Sequence, residues 1–522
     1  MPTRFRSIAS ALAVCVVGVS SPLDARESIV VPAGGDLQAA INRARQGDVL
    51  LLEPGATYVG NFVLPARPGS GYTTIRSAAD PSRFPADGRV GPTHRQWMPT
   101  LRSPNGAAAL STAPGSHHWR LQWLAFEANA GGTNDIITLG DGSRAQNVAA
   151  SIPRYFILEG LIIRGDPEKG QKRAIALNSG HTVIRNSDIR DIKAVGQDSQ
   201  AICGWNGPGP YTIENNYLEA AGENVMFGGA DPAVPDLVPS DITFRRNYVT
   251  KPLAWREKGS PWTVKNLFEL KSARRVLIEG NVFEHNWHAA QTGYAIVFTP
   301  VNQDGRAPWT VVSDVTFRYN IVRHAASAFN IAGYDSQAAS RQTRGIVIRH
   351  NLIYDVDASR WGGDGRFLQV GDEAADLTVD HNTVLQSGTV LQLYGRRDGR
   401  PRPIRNLELT NNLTLHNEYG IIGDNEGIGQ ASIGAYLSAG DVRRNVIAGG
   451  DPRRYPDDNY FPSVPDLMRE FVDGAAGDYR LRPESRFRTA ATDGTALGAN
   501  VELIRRLVPR AEAPGRGVRR RR

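Results

Sequence analysis

Between residues 182 and 447 one short phrase recurs: an alternating apolar strand, an asparagine, then another apolar pair. It reads VIRNSDI at Asn186, TIENNYL at Asn216, TFRRNYV at Asn247, LIEGNVF at Asn281 and TFRYNIV at Asn320. VIRHNLI, TVDHNTV, ELTNNLT and VRRNVI follow at Asn351, Asn382, Asn412 and Asn445. Successive asparagines lie 30, 31, 34, 39, 31, 31, 30 and 33 residues apart. A fixed period with self-similar content specifies a stack of like units. No single unit can cover its own apolar strip, so the stack as a whole must form the core.

Within a unit the apolar residues alternate, as in Val276 and Ile278 followed by Val282 and Phe283, which is the period of a strand. Asparagine tolerates the left-handed backbone of a sharp bend. A third apolar run follows each pair: AICGW, NVMFGG, NLFELK, YAIVFT, AFNIAG, RFLQVG and VLQLYG. Three short strands and three turns make one coil of a parallel β-helix, with coils stacked at the ordinary interstrand distance of about 4.8 Å. Leucine-rich repeats have a shorter period and propeller blades a longer one. An asparagine at the same place in every coil also lets side-chain amides bond up and down the stack. With that ladder the chain resembles the pectate-lyase-like superfamily over most of its length. The resemblance implies an all-β, right-handed, single-stranded parallel β-helix with an N-terminal capping helix.

The ends suit that fold. Residues 1–25 carry Arg4 and Arg6, the apolar run IASALAVCVVGV and small residues before Ala25, the pattern of a secretory signal peptide. Cys15 lies within that run without the small residue before it that lipid attachment wants, and Cys203 is the only other cysteine, so no internal disulfide is expected. No other segment has the length and apolarity of a membrane span. The β-helix domain is expected over 26–500. In it, Leu37, Ala40, Ile41 and Ala44 mark one face of a helix over 36–46 that would close the first coil, and 182–447 hold the regular coils. Residues 60–180 read as early, irregular coils. The net charge of +7 is concentrated in 505–522, where eight arginines face one glutamate, so the body is close to neutral. A basic, disordered tail is expected over 501–522. The leader points to a secreted, periplasmic or extracellular protein, and the near-neutral body to no specific nucleic-acid partner; the resemblance implies a polysaccharide or other glycan as partner, and a monomer is expected.

Alternation along NLFELK places Phe268 and Leu270 in the core and predicts that Leu267, Glu269 and Lys271 face solvent. Comparable outward positions on other coils carry Met226, Gly228, Val297, Thr299, Asn330, Gln369, Gln392 and Tyr394, so Glu269 and Lys271 stand out as an acid–base pair. Turns overgrow at 230–240, 300–313 and 333–344, and the connection 250–265 is long as well; insertions on a solenoid gather over its binding face. They bring Trp255, Arg256, Lys258, Trp262 and Trp309 towards that coil, and indoles with cations suit a sugar or uronate chain. The same tryptophans also suit a plain structural role, wedging the loops onto the stack.

Elimination from a polyuronate needs a base and a cation to neutralise the adjacent carboxylate. Lys271 or Arg256 is the candidate base, on the expectation that desolvation lowers a lysine pKa. Glu223, Asp231 and Glu269 are candidate Ca²⁺ ligands. The run KSARRVLIEGNVF from Lys271 resembles the Lys-Ser segment of alginate lyases and chondroitinase-B-type lyases, which implies Lys271 as base. Where those families carry acidic calcium ligands before the lysine, this chain has Asn266 and Glu269, and their partner arginine has no clear counterpart. A glycoside hydrolase using two of Glu223, Asp231, Glu257 and Glu269 is the alternative enzyme; a non-catalytic glycan-binding protein is the alternative class. His285 and His324, each four residues after a repeat asparagine, are expected to stack on adjacent coils near His288, as a metal pair or as a polar column. His416 has the same offset, and His350 and His381 read as structural.

Overall fold

The computed structural model describes residues 27–509, so the predicted signal peptide and Cys15 lie outside the described residues. Three long parallel sheets of 15, 13 and 12 strands are built from strands lying between Ser28 and Ala448. Each coil contributes in turn to the 15-, the 13- and the 12-stranded sheet, for example Ala273–Glu279, Val282–Asn286 and Tyr294–Phe298. Within these three sheets each strand pairs in parallel with the strand one coil away, Val276 with Ile242 on one side and Val315 on the other. This is a parallel β-helix. Its interior is filled by stacked apolar side chains, such as Phe244 and Phe317 of the first sheet with Phe283 of the second between them, at ring-centroid distances of 6.1 and 5.6 Å.

The stack begins earlier than the repeat is visible. Strands Val49–Leu52, Thr73–Ser77 and His117–Gln122 already sit in register in the first sheet. Insertions such as 78–99 blur the period in the sequence without interrupting the ladder of strands. The helix expected over 36–46 forms at Leu37–Arg43. The Asp36 carboxylate accepts the Ala39 N–H at 2.9 Å, and Leu37, Ala40 and Ile41 are buried in the main core.

The asparagine column follows one rule from coil to coil. Asn247 Nδ2 donates to Asn281 Oδ1 at 3.2 Å and to the Ile213 carbonyl at 2.9 Å, while the Asn247 N–H also reaches Asn281 Oδ1, at 2.8 Å. Amide-to-amide bonds continue through Asn320, Asn351, Asn382, Asn412 and Asn445 to Asn459. Two expectations need correction. Asn186 is not a member of the column: Asp188 pairs with Tyr217, so the residue level with Asn216 is Ser187, whose N–H donates to Asn216 Oδ1 at 3.0 Å. The left-handed residue is the one before each column asparagine, as at Asn215, Arg246, Tyr319, His350 and His381. The bend must come first so that the following amide can turn inward.

Two further corrections concern where the alternation and the fold stop. Leu267 is fully buried in the core, and its counterparts Ala295, Ala328 and Phe367 are buried too. The chain turns a corner just before Phe268, so two consecutive residues face inward and strand alternation starts one position later. Residues expected to begin the disordered tail form a helix, Val501–Leu507, and the rest of that expected tail, from 510 on, lies outside the described residues. Its Val501 and Ile504 are buried against Leu352, because at i and i+3 they share the face that covers the second sheet. Among the described residues, no helix is long and apolar enough to cross a membrane.

Candidate functional site

Glu269 lies on the outer side of strand Phe268–Leu270, level with Met226 on one coil and Val297 on the next. It faces outward as expected, yet it is only 3% exposed. Its Oε1 lies 3.7 Å from Lys271 Nζ, and its Oε2 accepts Asn266 Nδ2 at 3.1 Å. One coil earlier, fully buried Glu223 accepts Gln200 Nε2 at 2.9 Å on Oε2 and stands 3.3 Å from Lys265 Nζ on Oε1. Lys265 is paired at the same time with Asp198 at 2.5 Å. Three carboxylates and two ammonium groups therefore form one semi-buried cluster on the face of the third sheet. Gly228, at φ +99°, leaves room for it: a Cβ there would come within 2.8 Å of Lys271 Cβ and 2.7 Å of the Ser272 nitrogen.

The charges decide what each group can do. Burial raises the Glu269 pKa, Lys271 draws it down and Glu223 raises it again, with a net position above the ordinary carboxylate range. For Lys271, burial pulls the pKa down, but Glu269 and Glu223 together more than reverse it and hold the pKa above the ordinary lysine value. Burial and the carboxylates Glu223 and Asp198 act in the same opposed way on Lys265, again with a net rise. This corrects the expectation for Lys271: it remains an ammonium at neutral pH, suited to neutralising a substrate carboxylate rather than to accepting a proton.

Other expected residues are scattered. Asn330 and Gln369 do lie on the same stripe, one level after Val297 and one beyond, with Gln369 Nε2 donating to Asn330 Oδ1 at 3.2 Å. Arg256 points elsewhere: its guanidinium donates to the Arg360 carbonyl and lies over the Trp361 ring at 4.9 Å, which withdraws it from the role of base beside Glu269. Trp255 is 6% exposed in a cluster with Ala221, Val264 and Trp287, so its faces are covered and cannot stack on a sugar. Trp262 packs at the edge of that cluster, with Lys193 Nζ 4.8 Å over its ring. Trp309 is half-buried and donates to the Leu237 carbonyl at 3.0 Å, and Lys258 is exposed on its turn. The wedge role expected for these indoles is the one Trp255 and Trp262 fill.

The proposed Ca²⁺ ligands do not fit a calcium ion. Asp231 Oδ2 is committed to the N–H groups of Asp304 and Arg306 at 3.0 and 2.9 Å. Glu223 and Glu269 already face Lys265 and Lys271, whose ammonium groups hold the space a divalent cation would take. On the second sheet, Glu284, His285 and His324 offer ligand atoms within 4.8 Å of one another and could hold a metal ion. The two imidazoles stack at 5.2 Å as the repeat predicted. There Glu284 is bonded to Tyr248 and to Arg323 at 2.6 Å, and His324 Nδ1 to Asp355 at 2.6 Å, so protein groups occupy part of that donor set.

Sequence reasoning missed Asp198, Gln200, Lys265, Tyr294 and Arg366. Gln200 and Glu223 each stand two residues before a core position of the third sheet, Ile202 and Val225, a repeated offset that was legible. Tyr294 and Arg366 extend the row: the Tyr294 hydroxyl and Arg366 Nη1 donate to Gln369 Oε1 at 2.7 and 2.8 Å.

No family model matches this sequence, and no curated protein matches it. Solved structures do share its fold. The PL6 family alginate lyase AlyGC superposes with a TM-score of 0.56 at 14% identity, covering 93% of this chain and 59% of that one. The catalytic unit of a thermostable GH87 α-1,3-glucanase from Streptomyces thermodiastaticus strain HF3-3 gives 0.51 at 16% identity, covering 83% of this chain and 70% of that one. This chain thus shares the parallel β-helix fold of these two structures and spans less than two-thirds of the alginate lyase. At such identities the likeness concerns the fold.

Proposed function

We propose that this chain is an exported, monomeric enzyme that cleaves an acidic polysaccharide by β-elimination at the coil of Glu269 and Lys271. The observation that carries this reading is a lysine kept cationic by two buried carboxylates on the outer face of the third sheet. In an elimination, Lys271 neutralises the uronate carboxylate and so acidifies the adjacent C–H. Glu269, held above the ordinary carboxylate range, is the base that takes that proton. The bond to the leaving glycosidic oxygen breaks as the ring double bond forms, and that oxygen takes its proton from the Glu269 carboxyl or from water, which returns the site to its starting state. Asn330, Gln369 and Arg366 continue the polar stripe along which the chain of sugars would lie.

A specific observation favours a second reading. Glu223 and Glu269 are close enough for the first to raise the pKa of the second, the pairing of two carboxyl groups that a hydrolytic site uses. The 3% exposure of Glu269 favours a third, a glycan-binding protein without turnover. One experiment separates them: incubation of the mature protein with alginate, pectate, chondroitin and neutral glycans. Ultraviolet absorbance of an unsaturated uronate, lost in Lys271→Met, supports elimination. New reducing ends without that absorbance indicate hydrolysis, and binding without product overturns both enzymatic readings.

A further inference from the structure

Directly behind this cluster, Lys251 sits at the corner between the second and third sheets, just after strand Tyr248–Thr250, with its side chain fully buried. Its Nζ is surrounded by the carbonyl oxygens of Ala220, Ala221, Gly222 and Asn266 at 3.0, 3.0, 2.7 and 3.0 Å, and by Asn224 Oδ1 at 2.7 Å. An ammonium group has three hydrogens to give. Five oxygens around it from two successive coils are a coordination shell of the kind that encloses a bare cation. The distances exceed the roughly 2.3–2.6 Å of calcium–oxygen contacts and suit a larger monovalent ion. Burial pulls the Lys251 pKa well down and Glu223 opposes it. Five acceptors facing Nζ favour the charged form, since a neutral amine would turn its lone pair on a carbonyl oxygen.

The cage residues are those that present the acids. Gly222 and Asn224 flank Glu223, and Asn266, whose carbonyl closes the cage, donates its side-chain amide to Glu269 at 3.1 Å. We infer that Lys251 is a tethered cation: its ammonium fills a five-oxygen, monovalent-cation site inside the coil and locks Glu223 and Glu269 in place without a metal ion. Lys251 touches no candidate substrate position and is a positioning residue. The inference concerns how the cluster is held, so it stands or falls on folding and cation binding, apart from any turnover.

Removing the side chain should expose the site it fills. The test compares thermal unfolding of the wild-type chain, Lys251→Ala and Lys251→Met in sodium, potassium, ammonium and tetramethylammonium chloride at one ionic strength. Wild type is measured also with EDTA and with added Ca²⁺. The wild-type midpoint is expected to be the same in every medium. Lys251→Ala should melt lower in sodium and tetramethylammonium, and recover at least half of the loss in ammonium or potassium, which can enter the emptied cage. Lys251→Met fills the cage with a methyl group, and no salt should rescue it. A Lys251→Ala protein equally impaired in every salt, including one that does not fold in any, overturns the inference. A wild-type midpoint that falls with EDTA and returns with Ca²⁺ overturns it as well.

Discussion

Replacing Lys271 with methionine removes the cation of the Glu269 pair while keeping most of the side-chain volume. At 3.7 Å and an effective dielectric of about 20, the direct attraction between the two charges is about 4 kcal/mol. Breaking a buried pair by removing one partner costs about 3–5 kcal/mol, because the other charge is left without compensation. At pH 8 the variant is therefore expected to lose about 3 kcal/mol. That loss must depend on pH in one direction. Without Lys271, burial and Glu223 push the Glu269 pKa higher still in the folded state, above its unfolded value. A group raised on folding stabilises below its unfolded pKa and loses that contribution as pH rises through the folded pKa. Acidification towards pH 5 protonates Glu269, and the penalty should shrink to about 1 kcal/mol. Adding Glu269→Gln to Lys271→Met should recover much of the loss at pH 8, giving a coupling of about 2 kcal/mol in the double-mutant cycle. Urea midpoints followed by circular dichroism at both pH values measure these terms. A penalty under about 1 kcal/mol at pH 8, or one that does not fall with acid, would refute the description of a buried, mutually compensated pair.

Other consequences are as definite. Asn281→Ala removes two donated and two accepted bonds in the buried column and strands the Asn247 N–H, so a loss of about 3–5 kcal/mol is expected; hydrogen exchange should open first around coils 240–320. Trp255→Ala should cost about 3–4 kcal/mol of stability through the cavity it leaves, while apparent glycan affinity in the folded fraction, read by titration calorimetry, stays unchanged. Burial, with His381 beside it, lowers the His350 pKa to about 4. A histidine depressed on folding stabilises above its unfolded pKa, so stability should fall from about pH 6.5 through pH 4; the full depression is worth about 3 kcal/mol, which the ring's partial exposure to solvent reduces to about 2 kcal/mol, and His350→Gln should flatten that limb in acid-unfolding curves.

Much of this architecture is written in one dimension. The period of the asparagines, the two-residue alternation around them and the apolar third run are local patterns, and a stack of coils repeats them without needing distant contacts. Glu269 and Lys271 were legible for the same reason: they sit two apart, Glu269 on the strand and Lys271 one residue past its end, and share a face. Leu267 shows where the local rule ends, because a corner between sheets adds an inward residue that alternation cannot foresee. Arg256, Trp255 and Trp262 show it again for loops. A turn rich in indoles and cations reads alike whether its rings meet a sugar or a neighbouring turn, and only the packing against Ala221 and Trp287 distinguishes the two.

What the sequence alone determined, then, is the repeat, the sheet that bears the candidate site and the coil on which to look. The tertiary structure decided which groups surround Glu269 there. Asp198, Glu223, Lys251 and Lys265 arrive from separate turns and neighbouring coils, and their spacing follows from strand register and loop course rather than from any local pattern. Glu223 joins Glu269 in reversing the expected pKa of Lys271, and Lys265 and Lys271 fill the space first assigned to calcium, because electrostatic work depends on distance in space and on burial, neither of which a linear pattern specifies.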